Sequence, residues 1–144
     1  MLLTRECDYG IRIIRALAGG EKKPMGEICE AELIPNQYAY KILKKLARGG
    51  FLRIARGRDG GYQLVKPLDS FTLYDVITTV DDNLFLNECL KKDNFCPFKV
   101  SEEPCIVHQE FNRIQNQLIN ELRRNTIHDL ISQIGSSPNT NTLP

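Results

Sequence analysis

The chain has 144 residues, of which 42% are hydrophobic and 26% charged, and its formal net charge is +1. This length supports one domain, or a small domain with an oligomerisation element, and no apolar run approaches the roughly 20 residues that span a bilayer. The amino terminus meets a charge at Arg5 and has no signal-peptide core, so we expect a cytoplasmic protein that does not bind a membrane. In a reducing compartment the five cysteines are more typical of metal binding, redox chemistry or burial than of disulfides.

Three helices are predicted in the amino-terminal part of the chain. Apolar residues recur at helical spacing over residues 4 to 18, 24 to 31 and 36 to 48. Thr4 and Asn36 are residue types that cap the amino termini of helices, and Pro24 suits a first helical turn. Gly49-Gly50 ends the third helix with a residue that tolerates the left-handed conformation. The second and third helices, joined by a proline-containing turn, form a predicted helix-turn-helix.

A short hairpin with a basic tip is predicted to follow the third helix. Its strands cover residues 51 to 54 and 62 to 65 and flank a glycine-rich turn at 56 to 61. Thr72 and Asp75 then have the spacing of a capping box, which opens a helix that ends near Val80. Helix, turn, helix and hairpin is the order of a winged helix-turn-helix. We therefore predict a mainly α fold with a small β-hairpin wing, in which residues 1 to 80 form a DNA-binding domain.

The rest of the chain divides into a loop, a long helix and a tail. Residues 81 to 105 show no sustained period, and structureless loops of this length are usually functional. Apolar residues then predict one long dimerisation helix over residues 106 to 134, because its apolar surface exceeds what a small domain can cover. The alternative is a helix folded wholly back on its own domain. Residues 135 to 144 are rich in Ser, Asn, Thr and Pro, and we expect a disordered tail.

Basic residues are concentrated in one part of the predicted winged domain. Residues 36 to 58 hold seven of the 19 basic residues and no acidic residue, which leaves 12 basic against 18 acidic residues elsewhere. A basic segment on a mildly acidic body concentrates phosphate affinity on one face, and a merely solvated helix face with a charged loop is the alternative. This distribution favours nucleic acid as the partner.

The second helix of a helix-turn-helix enters the major groove, so the third predicted helix is the candidate reading helix. Its predicted contacts with base edges or sugars are Asn36, Gln37, Tyr38 and Tyr40. Its predicted phosphate contacts are Lys41, Lys44, Lys45 and Arg48. At the hairpin tip, Arg56 and Arg58 are predicted to enter a minor groove.

Three cysteines and a histidine are clustered in the predicted loop and at the start of the last helix: Cys89, Cys96, Cys105 and His108. Three thiolates and one imidazole can make a tetrahedral zinc site, and they can equally hold an iron–sulfur cluster. The closely paired cysteines that zinc sites favour are absent from the sequence, and wide spacing on a long loop suits a larger cofactor. A metal-free thiol switch is a third interpretation, and incidental cysteines are a fourth.

Four motifs of the chain are shared with one known family. They are Leu3-Thr4 with Asp8-Tyr9-Gly10-Ile11-Arg12, the helix Lys41-Ile42-Leu43-x-x-Leu46, the turn Arg56-Gly57-x-x-Gly60-Gly61-Tyr62, and the three late cysteines. On these motifs the chain resembles, from Met1 to about Ile134, the winged-helix iron–sulfur regulators typified by IscR and NsrR. The resemblance implies a homodimeric transcription factor that binds a pseudo-palindromic double-stranded DNA operator. An enzyme is disfavoured, because the sequence has no nucleophile constellation, catalytic carboxylate pair or phosphate loop.

The resemblance also implies a set of cluster ligands. The three loop cysteines of the family correspond to Cys89, Cys96 and Cys105, and the fourth ligand differs between branches. IscR-like members use a histidine three residues after the third cysteine, which is His108 here and fits a 2Fe–2S cluster. Some NsrR-like members use an aspartate in the first helix of the partner subunit, which is Asp8 here and fits a 4Fe–4S cluster.

The chain departs from the family pattern in two ways. The gaps of six and eight residues between successive cysteines are longer than those familiar in the family. Tyr40 stands where IscR-like members carry an operator-discriminating glutamate, so their operator preference does not transfer. We expect a DNA-binding regulator whose operator affinity depends on an iron–sulfur cluster. A zinc-bound or metal-free thiol switch on the same fold is the alternative, and a basic face that binds an acidic protein is a further one.

Overall fold

The structure is a computed structural model that describes residues 2–99 and 103–133. Within these residues the chain forms six α-helices and one two-stranded antiparallel hairpin. Their bounds are α1 Arg5–Ala16, α2 Met25–Glu32, α3 Asn36–Arg48, β1 Leu52–Ala55, β2 Gly61–Leu64, α4 Leu73–Val80, α5 Ile106–Leu122 and α6 Ile127–Ser132. No helix in the described ranges is long and apolar enough to cross a membrane.

The predicted mainly α fold with a β-hairpin wing is confirmed. Helices α1, α3 and α4 pack together around the main apolar core, to which Phe51 before β1 and Leu52 of β1 contribute. Phe51 meets Phe71 edge to face, with ring centroids 4.9 Å apart. Helix α1 approaches α4 so closely at Gly10 that a Cβ there would lie 2.7 Å from Val80 Cγ2. The core thus fixes the first, third and fourth helices relative to one another.

The predicted helix starts are confirmed at two positions and wrong at a third. Thr4 caps α1 by accepting a hydrogen bond from the Cys7 amide, and Thr72 with Asp75 forms the capping box of α4. Asn36 does not cap α3, because Pro35 occupies the cap position and Asn36 is already the first helical residue. The fixed φ of proline, here −61°, starts the helix without a side-chain hydrogen bond.

The predicted single helix over residues 106 to 134 is wrong, because α5 ends at Leu122 and the separate helix α6 begins at Ile127. A second capping box makes the break: Thr126 Oγ1 accepts from the Asp129 amide, and Asp129 accepts from the Thr126 amide. The Ile127 amide donates to the Phe71 carbonyl at 3.0 Å, and the Ile127 side chain is buried. Helix α6 therefore returns to the core of the amino-terminal helices. Ile134 and the predicted tail, 135 to 144, lie outside the described residues.

The predicted loop between α4 and α5 is irregular where it is described. Residues 81–99 contain two single-turn 3₁₀ helices, Glu88–Leu90 and Pro97–Lys99. We call residues 81–105 the cysteine segment, since this range holds Cys89, Cys96 and Cys105.

Candidate nucleic-acid interface and cysteine segment

The side of α3 that faces solvent carries most of the residues predicted to contact DNA. Because apolar residues recur on one side of this helix, Ala39, Ile42, Leu43 and Leu46 are buried in the core. The opposite side exposes Asn36, Gln37, Tyr40, Lys41, Lys44 and Arg48. Tyr40 and the basic residues of α3 line a surface cleft of about 290 Å³. Helix α3 thus offers polar groups near its amino terminus and cations farther along.

The two tyrosines of α3 have different environments. Tyr38 is half-buried and packs against Tyr9, with ring centroids 5.5 Å apart and ring planes inclined by 59°. Tyr40 is 55% exposed, and the Lys44 ammonium lies 5.3 Å from the centre of its ring. Tyr38 therefore anchors α3 to α1, whereas Tyr40 is free to meet a ligand.

Glu6 of α1, which the sequence did not single out, binds two lysines of α3. Its carboxylate accepts hydrogen bonds from Lys41 Nζ at 2.9 Å and from Lys45 Nζ at 3.0 Å. These bonds, first from Lys41 and then from Lys45, hold the pKa of the Glu6 carboxyl below its usual value. Lys45 Nζ also donates to the Val80 carbonyl at 2.6 Å. Lys45 is thus already engaged at the end of α4.

The hairpin wing presents Arg56 and Arg58 at its exposed tip. Strands β1 and β2 pair in the register Leu52↔Leu64 to Ala55↔Gly61. The tip needs glycine, because Gly57 has φ +100° and a Cβ at Gly60 would lie 2.6 Å from the Ala55 carbonyl oxygen. Tyr62 of β2 exchanges backbone hydrogen bonds of 2.8 and 2.9 Å with Lys23, which precedes α2. The wing is therefore attached to the helix-turn-helix at its base and basic at its tip.

The cysteine segment holds three free, half-buried thiols. Cys89 lies in the 3₁₀ turn, Cys96 precedes the second such turn, and Cys105 occupies the cap position of α5. His108 follows in the first turn of α5, and its buried Nδ1 has no hydrogen-bond partner among the described residues. The donor types suit zinc or iron. However, no three His, Cys, Asp or Glu side chains within residues 2–99 and 103–133 are grouped so that they could hold a metal ion.

Asp8, the other candidate ligand, lies on the exposed side of α1 within the same chain. Its carboxylate forms an ion pair with Arg12 at 2.9 Å, one helical turn farther along. The Asp8 side chain is 52% exposed, so a partner molecule could reach it. The described residues do not bring Asp8 into a metal-holding group with the cysteines of the same chain.

Two sets of hydrogen bonds tie the cysteine segment to the helices on either side. Thr4 Oγ1 donates to Asp81 Oδ2 at 3.0 Å, which attaches the start of the segment to α1. Gln115 of α5 is buried, and its side chain donates to the Leu84 carbonyl at 2.7 Å and accepts from the Leu86 amide at 2.9 Å. Sequence reasoning missed Gln115, although a polar residue on the side of α5 that faces the domain was the available signal.

A helix-turn-helix whose second helix is exposed, a basic wing and a core that holds both define a winged-helix DNA-binding protein. The family model described as Rrf2, iron-dependent transcriptional regulator, matches residues 3–133. The chain belongs to the Rrf2 family, whose members are DNA-binding transcriptional regulators and not enzymes.

Two curated relatives match most of the chain. Protein aau3 of Rhizobium meliloti (strain 1021) is 31% identical over 134 residues, which are 91% of this chain and 85% of that protein. A protein of Aquifex aeolicus (strain VF5) named as an HTH-type transcriptional regulator is 29% identical over 106 residues, 74% of this chain and 73% of that protein.

Solved structures share the fold at low sequence identity. T. potens IscR has a TM-score of 0.70 and 18% identity, and the match covers 95% of this chain and 92% of that one. The oxidized form of Staphylococcus aureus CymR has a TM-score of 0.70 and 21% identity, with coverages of 97% and 100%. CymR of B. subtilis, named as its global cysteine regulator, has a TM-score of 0.68 and 23% identity, with coverages of 90% and 95%.

Proposed function

We propose that this chain is a dimeric transcriptional regulator whose affinity for operator DNA is set by the state of Cys89, Cys96 and Cys105. The observation that carries the proposal is the exposed cationic side of α3, combined with a cysteine segment that is hydrogen-bonded to α1 and α5. Membership of the Rrf2 family supports the DNA-binding part.

In the proposed complex, α3 enters the major groove and its first turn lies nearest the bases. Asn36, Gln37 and Tyr40 meet base edges or sugars, and Lys41, Lys44 and Arg48 meet phosphates. Arg56 and Arg58 reach a minor groove beside the site. We assign Tyr38 and Lys45 to positioning α3, because the ring of Tyr38 packs on Tyr9 and the ammonium of Lys45 is bound by Glu6 and Val80.

The proposed dimer is built on α5. Ile106, Val107 and Ile114 are 81%, 59% and 37% exposed, and Phe111 and Leu118 beside them are half-buried. Exposing an apolar stripe of this kind to water is unfavourable, and packing against the same helix of a second copy would bury it. A twofold dimer presents two copies of α3 to half-sites about one helical turn apart, which matches a pseudo-palindromic operator.

We propose an iron–sulfur cluster as the group that sets the state of the cysteines. Cys89, Cys96 and Cys105 would hold it, together with His108 or with Asp8 of the partner subunit. The cluster would supply a centre that responds to iron supply, oxidation or nitric oxide. The buried Nδ1 of His108, which has no hydrogen-bond partner in the described part of the chain, supports the histidine, because a buried polar atom without a partner is costly. A histidine ligand favours a 2Fe–2S cluster, and an aspartate ligand a 4Fe–4S cluster.

The chain's own residues supply the coupling between the cysteines and DNA. The cysteine segment starts where Thr4 binds Asp81 and where Lys45 of α3 binds the Val80 carbonyl, and Gln115 holds the same segment on α5. A change in the conformation of the segment therefore acts on both the reading helix and the dimer helix. Because half-sites tolerate little displacement, such a change alters operator affinity.

A zinc-bound or metal-free thiol switch on the same fold is the second candidate. The metal-free form is favoured by the three free thiols, which are not grouped with other donors in the part of the chain that the structure describes. The fold neighbours named as an oxidized CymR and as a global cysteine regulator also support it.

Anaerobic purification followed by an absorption spectrum and assays of iron, sulfide and zinc tests the proposal. We expect visible absorbance with bound iron and sulfide, and loss of that absorbance in Cys96→Ala while the dimer persists. The matched control is Cys29→Ala, which removes a buried thiol of α2 outside the cysteine segment and should keep the chromophore. A colourless protein that reconstitution cannot load would overturn the cluster, and stoichiometric zinc would select the second candidate.

A further inference from the structure

One carboxylate of α1 binds two of the four cations of α3. Glu6 Oε1 pairs with Lys41 Nζ and Glu6 Oε2 pairs with Lys45 Nζ, so each oxygen serves a different lysine. The Glu6 side chain is only 24% exposed, and it lies in the first turn of α1, which the Thr4 cap fixes. The other cations of α3, Lys44 and Arg48, form no ion pair with a described residue. The cationic side of α3 is thus partly neutralised from within the protein.

The two lysines held by Glu6 are not equivalent. Lys45 is 31% exposed and also donates to Val80, the last residue of α4, where a cation satisfies a helix-end carbonyl. Lys41 is 60% exposed, and Glu6 is its only described hydrogen-bond partner. Lys45 therefore stays in place when Glu6 is removed, whereas Lys41 gains the freedom to contact another anion.

A DNA phosphate that approaches Lys41 meets an ammonium already bound to a carboxylate. Either Lys41 leaves Glu6 and loses that ion pair, or it remains paired and Glu6 repels the phosphate. A lysine that stays paired with a fixed carboxylate does not neutralise a phosphate. It therefore releases none of the cations condensed on the DNA and contributes little to the salt dependence of affinity.

We propose that Glu6 is an affinity-limiting residue of the DNA-binding face, which competes with DNA phosphates for Lys41. The inference rests on the proposed function, namely that the exposed side of α3 binds DNA. Glu6 acts through Lys41 and is a positioning residue, with no contact to DNA of its own.

The test compares wild type with Glu6→Gln, using fluorescence anisotropy of a short labelled duplex of mixed sequence between about 50 and 200 mM salt. We expect Glu6→Gln to bind about three- to eightfold more tightly near 0.1 M salt, with a log–log salt slope steeper by up to about 0.9. The matched control is Glu110→Gln on α5, which makes the same change in net charge away from α3 and should change both quantities far less.

The double variant Glu6→Gln/Lys41→Gln tests whether Glu6 limits affinity through Lys41. In the Lys41→Gln background only the direct repulsion between Glu6 and the DNA remains, so Glu6→Gln should tighten binding clearly less than it does in wild type. A gain of the same size there would overturn the inference. Should Glu6→Gln fail to fold, the single variants decide. A smaller loss of affinity in Lys41→Gln than in Lys44→Gln supports the inference, and an equal or larger loss overturns it.

Two further variants separate this inference from the function on which it rests. Lys44→Gln and Arg48→Gln should both weaken binding to the duplex if α3 contacts DNA. If they do so while Glu6→Gln binds as wild type does, the inference fails and the proposed function stands. If neither weakens binding, the proposed DNA-binding face is wrong, and the role of Glu6 falls with it.

Discussion

At the scale of single residues, two buried or half-buried polar groups organise what surrounds them. Glu6 gathers two lysines of α3, and Gln115 satisfies the backbone at Leu84 and Leu86 with both ends of its amide. Neither residue stood out in the sequence, because a polar residue in an amphipathic helix usually faces solvent. Only the packing of one helix on another gives such a side chain its partners.

Gln115→Leu is expected to lower the free energy of unfolding by about 2–4 kcal/mol. The substitution makes the side chain apolar at a similar size, but it leaves the Leu84 carbonyl and the Leu86 amide without partners, at about 1–3 kcal/mol each. Urea denaturation followed by circular dichroism measures the change. The control is Gln117→Leu, two residues along the same helix and exposed, for which we expect a change within about 0.5 kcal/mol. Equal losses of stability in the two variants would contradict a stabilising role for the hydrogen bonds of Gln115.

The exposed side of α3, which carries most of the residues predicted to contact DNA, was largely identifiable from the sequence. Helical spacing predicts which side of α3 is buried, and the remaining positions, such as Lys44 and Arg48, are exposed as expected. Tyr38 and Lys45 were harder to place, because their roles depend on Tyr9, Glu6 and Val80 in other elements. Spacing along one helix carries no information about those partners.

At the scale of elements, the break between α5 and α6 is where the prediction from hydrophobic periodicity was wrong. Apolar residues continue at helical spacing through this region, so the period alone predicts one helix. The signal that opposes it is Thr126 with Asp129, which repeats the spacing of Thr72 and Asp75 that was recognised as a helix start. A capping pair inside an apolar repeat deserves the same weight as one that follows a loop.

Thr126→Ala is expected to lower the free energy of unfolding by about 1 kcal/mol, because it removes the oxygen that accepts from the Asp129 amide. Thr126→Ser keeps that oxygen and should cost less. Both variants are compared with wild type by urea denaturation at one protein concentration, since dimer formation would make stability depend on concentration. A loss in Thr126→Ser as large as in Thr126→Ala would show that the cap does not stabilise α6.

At the scale of the whole molecule, different surfaces carry different proposed tasks. The cations of α3 and the wing arginines provide the surface proposed to meet DNA, and the apolar stripe of α5 provides the one proposed to meet a second copy. The cysteine segment is hydrogen-bonded to Thr4, which caps α1, and to Gln115 of α5. The sequence predicted this division through its charge distribution and its periodicity. It did not predict that α6 returns to the amino-terminal core.

Ile114→Glu is expected to weaken the dimer at least about tenfold, because a twofold interface would bury the new carboxylate in both copies. Sedimentation velocity over a range of protein concentrations measures the dissociation constant. Gln109→Glu is the control, since it adds the same charge to an exposed position of α5 away from the apolar stripe. A dimer of unchanged affinity in Ile114→Glu would place the interface elsewhere.

The docking of α6 has a mechanical consequence for the proposed dimer. Helix α5 is held at Gln115, and the chain beyond it is held where the buried Ile127 donates its backbone amide to Phe71. A helix attached to its domain at one point can rotate about that point, whereas a helix attached at two points moves only together with the domain. In the proposed twofold pair, the angle at which the two α5 helices cross would therefore set the separation of the two α3 helices, and a small rotation at the crossing would change that separation.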